Sequence, residues 1–199
     1  MFSSSHRRTA IAFSLVFAGV AGGLAGCSQT TTEKAAEAAS AAASDISSDV
    51  SSLAASVKTN AAQDFVTKAA TANMFEIETS QAALKTSKNK AVLAFAKLMV
   101  KDHTAAGKKL EAVLASDTGI TAPAALNDDQ QKKLDDLTAK TGTDFDKAYA
   151  DIQKDAHNDA VDLFDDYAKN GKDAALQTFA SETLPTLQKH KEHAAGLNP

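Results

Sequence analysis

KNKAVLAFAKLMVKDHTAAGKKLEAVLAS, residues 88–116, decides the fold. Val92, Ala96, Met99, His103, Ala106 and Leu110 recur at alternating intervals of four and three. That spacing puts all six on one helix face. The polar and charged residues between them fall on the other side, as in a helix that buries one stripe. Thr118-Gly119-Ile120-Thr121-Ala122-Pro123 then breaks the pattern. The stripe is apolar apart from His103.

Working outward, the same period appears three more times. On the N-terminal side a helix is predicted over about 62–86, with Phe65, Ala69, Ala72, Glu76 and Ala83 on one face. After the break, Asn127-Asp128-Asp129 supplies an N-cap and acids for the first turn of a short helix. That helix stops at Thr141-Gly142, and Thr143 or Asp144 caps the next long one. This one carries His157 and ends at Asn170-Gly171, read as a left-handed glycine stop. The last helix runs from about Asp173 to Ala195, with Leu176, Ala180, Thr183, Leu187 and His190 on one face. Pro185 either kinks it or divides it, with Thr183 and Leu184 as a linker. No segment alternates as a strand. The expectation is an all-α, up-and-down four-helix bundle over residues 61–196, with a short extra connecting helix.

Composition narrows the function. Among 199 residues, 21 Lys+Arg face 25 Asp+Glu, so no basic face for nucleic acid is expected. The single Cys excludes an internal disulfide framework and a Cys-cluster zinc site. No Gly-rich phosphate loop and no serine nucleophile motif is present, so nothing points to catalysis.

The N-terminus reads as an address. His6-Arg7-Arg8 is a basic start, and Ala10 to Ala21 is an apolar run of signal-peptide length. Leu24-Ala25-Gly26-Cys27 follows and resembles a bacterial lipobox. Residues 1–26 are thus expected to be a lipoprotein signal peptide, with Cys27 lipidated; the competing reading is an ordinary secretory signal with a chance Cys. Two or three acyl chains would anchor the protein stably to a membrane. Ser28, by resemblance to Gram-negative lipoproteins, favours the outer membrane, the domain facing the periplasm. Residues 27–60 form an Ala/Ser-rich tether, in which Ile46, Val50, Leu53 and Val57 make one helical stripe. It reads equally as helix or flexible spacer.

Polar residues on the inward faces carry the functional expectation. His103, His157 and His190 sit one per long helix, and Glu76 sits on the fourth. Counting residues from the turns puts all four near mid-bundle, within one to two turns. Three imidazoles and a carboxylate suit one Zn, Fe, Mn or Cu ion. Met99 and Gln153 lie one turn from His103 and His157. Asp102 and Asp155 are candidates for orienting the imidazoles. The competing reading is a hydrogen-bonded His/Glu layer that sets the bundle's register. His193 is expected to face solvent.

Several pieces also resemble a family. Phe65-Val66, Glu76-Ile77-Glu78 and the run Phe95-Ala96-Lys97-Leu98-Met99-Val100-Lys101-Asp102-His103 are similar to the bacterial "domain of unknown function 4142" proteins. So are Gly142 with Phe145-Asp146-Lys147-Ala148-Tyr149, His157, and Leu184-Pro185-Thr186-Leu187 ahead of His190. The resemblance implies a ferritin-like four-helix domain in a secreted or envelope protein, and it supplies no activity. Di-iron bundles use Glu-x-x-His pairs. None occurs in residues 61–196, which argues for one metal over two. The expectation is therefore an envelope lipoprotein binding a single transition metal, for metal buffering or defence against oxidants. The alternative is a structural or interaction module docking an envelope protein partner.

Overall fold

The computed structural model describes residues 29–116 and 119–199. The expected signal peptide and Cys27 lie outside the described residues. Five helices are present: α1 (Gln29–Thr86), α2 (Lys90–Leu114), α3 (Asp128–Thr138), α4 (Gly142–Asn170) and α5 (Ala174–Ala195). No strand occurs among the described residues, so the all-α expectation holds. The chain divides into two compact units, Met1–Ser47 and Ser48–Pro199. Only helix is described in the first. The second holds the bundle. No described helix is long and apolar enough to cross a membrane.

Local signals set most of the boundaries. Asn89 caps α2, its side chain accepting from the Ala91 and Val92 amides. Asn127 and Gln130 close a reciprocal capping box at the start of α3. Asp173 caps α5 through the Leu176 amide. Two expectations at the ends of α4 are corrected. The helix begins at Gly142 behind Thr141, so Thr143 and Asp144 lie inside it and do not cap it. The left-handed glycine is Gly142, at φ 58°, whereas Gly171 has φ −53°. Pro185 sits inside a continuous α5, so Thr183 and Leu184 are helical and not a linker. A proline there costs one backbone bond, and packing of both flanking turns retains the helix.

Two apolar clusters fill the bundle. One gathers Phe65 and Val66 from α1, Leu110 from α2, Phe164 and Tyr167 from α4, and Phe179 and Leu187 from α5. The other gathers Ala83, then Phe95 and Met99, then Phe145 and Tyr149, then Ala194 from the same four helices. The order of the clusters along each helix gives the direction of each. The α1/α2 and α4/α5 pairs are antiparallel hairpins, while α2 and α4 run the same way. The segment 115–141 must therefore return the chain to the starting end. It does so with Ile120 in the first cluster and Leu137 of α3 in the second. The extra connecting helix is thus part of a single long crossover, so the bundle keeps its two antiparallel hairpins but not the up-and-down order expected between them; ferritin-like bundles also have one such crossover.

In the N-terminal part of the second unit, Val50, Leu53 and Val57 are 60–65% exposed. The stripe seen in the sequence is real as a helix face there, and it faces solvent.

Candidate metal centre

Between the two apolar clusters each long helix contributes one buried ionisable residue. Glu76, His103, His157 and His190 are at most 4% exposed. Each lies between members of the two clusters in its own helix, so a single layer crosses the bundle. The ring centroids of the three histidines are 5.4–5.6 Å apart in every pairing. One ring nitrogen from each lies within 4.8 Å of the others. The four residues thus meet at mid-bundle, where the counting of turns put them.

Each imidazole is fixed from behind. His103 Nδ1 donates to Glu76 Oε2 at 2.8 Å and has Asn73 Oδ1 at 3.2 Å. His157 Nδ1 donates to the Gln153 carbonyl at 2.8 Å. His190 Nε2 donates to Asp102 Oδ2 at 3.1 Å. These bonds assign the tautomers, because a carbonyl or carboxylate only accepts. They leave His103 Nε2, His157 Nε2 and His190 Nδ1 as the uncommitted ring atoms, each with a lone pair when its ring is neutral. All three of those atoms are buried without a hydrogen-bond partner. Leaving such a group unmatched costs about 1–3 kcal/mol apiece. Three such nitrogens in one layer, on rings each oriented by a second polar group, make a group that can hold a metal ion once all three rings are neutral.

The electrostatics separate the three rings. Burial works against charge on both Glu76 and His103, but their mutual attraction outweighs it. Glu76 is held below the ordinary carboxylate value and His103 above the ordinary imidazole value. His157 is lowered, chiefly by burial, with Glu76 opposing. Burial likewise lowers His190 to about 4, with Asp102 pulling the other way. His157 and His190 are therefore neutral at pH 7, while Glu76 favours the protonated form of His103.

Glu76 also keeps one oxygen uncommitted. Its Oε1 has no hydrogen-bond partner and lies 3.8 Å from His157 Nδ1. Asp102 orients a ring as expected, but the ring is His190, 88 residues away, and not its neighbour His103. Asp155 does not reach the histidines. It is exposed and lines a cleft with Lys68 and Asp159. His193 is exposed as expected, edge-on to Phe95 at 4.9 Å.

Sequence reading missed Asn73 and the layer beneath the centre. There Gln153 Nε2 donates to Thr79 Oγ1 at 2.9 Å, and Ser80 Oγ meets the Tyr149 hydroxyl at 2.9 Å. Burial raises the Tyr149 pKa, so the phenol stays protonated. The signal was available, since residues 73, 76, 79 and 80 share the inward face of α1 at helical spacing.

The family model described as "Domain of unknown function (DUF4142)" matches residues 47–197. No match was found among curated proteins, and none among solved structures.

Proposed function

The chain belongs to the DUF4142 family, and from its histidine centre we propose a binding site for one first-row transition ion. His103, His157 and His190 are its ligands, and Glu76 orients His103 and offsets the ion's charge. The observation that supports this most is the set of three buried, partnerless ring nitrogens within one layer. Imidazole suits Zn, Cu and Fe, and of the metals considered Mn fits least well. Three protein ligands leave one position open, the arrangement of reactive sites and not of closed structural ones.

The proposed setting is the cell envelope. The lipobox-like Leu24-Ala25-Gly26-Cys27 supports a lipid anchor at Cys27, and Ser28 supports the outer membrane, the domain facing the periplasm. In that place the bundle would buffer metal or intercept oxidants.

The 2.8 Å contact between Glu76 and His103 favours a second reading. An internal ion pair with two neutral histidines is also a polar layer that sets register, as in an interaction module for an envelope partner. Thermal unfolding of the untagged mature chain separates the two. A ligand that binds only the folded state adds about 2.7 kcal/mol at one hundred times its Kd. The metal reading expects that stabilisation with one of the four metals. It also expects the stabilisation to vanish in a His103→Ala, His157→Ala, His190→Ala variant. The second reading expects no metal effect in either protein.

A further inference from the structure

A cavity of about 30 Å³ adjoins the centre, with Glu76 and His103 in its wall. Asn73 and Thr183 apart, the other walls are apolar. Ala72, Ala106, Gly107 and Ala160 are small residues that leave the room, and Phe164 and Leu187 close the far side. Its liners Ala72, Asn73, Ala106 and Gly107 are partly exposed, while Ala160, Phe164 and Leu187 are buried. The cavity therefore meets the surface along the seam between α1 and α2. A Cβ at Gly107 would sit 3.1 Å from Asn73 Nδ2, so the side chain that touches His103 would have to give by a few tenths of an ångström.

A much larger cleft of about 450 Å³ lies between α1, α3 and α4. Phe75, Ile152 and Ala156 line it, but neither Glu76 nor any of the three histidines does. Size and contact thus select different openings, and only the small one touches the centre.

We propose that the α1–α2 seam at Asn73 and Gly107 is the entry port of the metal centre. It admits uncharged molecules of up to two heavy atoms, the nitric oxide and dioxygen class. This rests on the metal reading. The size limit follows from the volume, since roughly 10–15 Å³ of such space holds one water-sized molecule. The charge limit follows from the wall. An anion entering would lose its hydration among mostly apolar side chains.

The test uses the mature chain loaded anaerobically with Fe(II), with nitric oxide as the probe. Iron content is measured first in every protein. Nitric oxide binding is then followed by stopped-flow absorbance and by the EPR signal of the ferrous nitrosyl. Wild type should bind it. Ala106→Leu should keep its iron yet bind roughly tenfold more slowly, because entry then waits on local opening. Ala106→Val serves if the leucine does not fold. Ala156→Leu, in the larger cleft, should bind at the wild-type rate, and azide should leave the ferrous spectrum unchanged. Equal rates in wild type and the Ala106 variants would overturn the port, as would slowing in Ala156→Leu alone. An azide adduct would overturn the charge limit. If wild type retains zinc but not iron, Co(II) replaces iron and its visible bands report the same comparison. If wild type holds no metal, the metal reading fails and the port fails with it.

Discussion

His190, lowered to about 4 by burial against the pull of Asp102, makes the metal-free bundle sensitive to mild acid. In the unfolded chain this ring takes a proton near pH 6.5, so unfolding gains a proton anywhere between 6.5 and 4. Stability must then fall as pH drops through that window, and the lowered His157 acts in the same direction. Urea unfolding of metal-free protein should show this fall, and His190→Gln should flatten it. His103 behaves oppositely. Its pKa is raised, so its contribution is complete below 6.5 and is lost as pH rises through its folded value. A metal must expel that proton from His103. Calorimetry in buffers of different ionisation enthalpy should therefore find proton release at pH 6, below the raised value of His103. Glu76→Gln removes the group that holds the proton. It should abolish the release and weaken metal binding by roughly 10- to 100-fold without changing stoichiometry. Unchanged proton release in that variant would contradict the assigned pairing.

At the scale of elements, the α3–α4 junction depends on one backbone angle. Gly142 sits at φ 58°, and a Cβ at that position would have nothing within 4 Å, so substitution strains only the backbone. Gly142→Ala should cost about 1–2 kcal/mol. Asn127→Ala, which breaks the capping box, should cost about 1 kcal/mol. Leu53→Ser, on the exposed stripe of α1, should fall within about 0.5 kcal/mol of wild type. Chemical denaturation of the three variants checks all three values. Much of this scale was legible in the sequence. The stripes containing His103 and His190 placed both rings inward because burial and helical period agree there. Residues 29–60 were ambiguous because an Ala/Ser-rich run has good helix propensity but little to pack, and propensity alone decides weakly. The two glycines near α4 look alike in sequence. Only the path of the chain after each one shows that Gly142 needs the left-handed angle and Gly171 does not.

Across the whole molecule, the centre is a polar layer held between two apolar clusters. Its composition could be read from the sequence, since each residue comes from its own helix face. Its partners could not. The Asp102–His190 bond spans 88 residues, and its existence depends on which helices are neighbours. The crossover was equally hidden, because periodicity fixes which face is buried and not which way a helix runs. A metal on His103, His157 and His190 would tie α2, α4 and α5 together. Hydrogen exchange of the amides around those residues should accordingly slow on metal addition.

The most direct measurement is the metal content of the untagged mature chain after equilibration with Zn, Fe, Mn and Cu and removal of free ion. Elemental mass spectrometry should find about one ion per chain, the capacity of one layer of three imidazoles. The folded His103→Ala, His157→Ala, His190→Ala variant should hold none. No bound metal in wild type, or equal metal in the variant, would contradict the account.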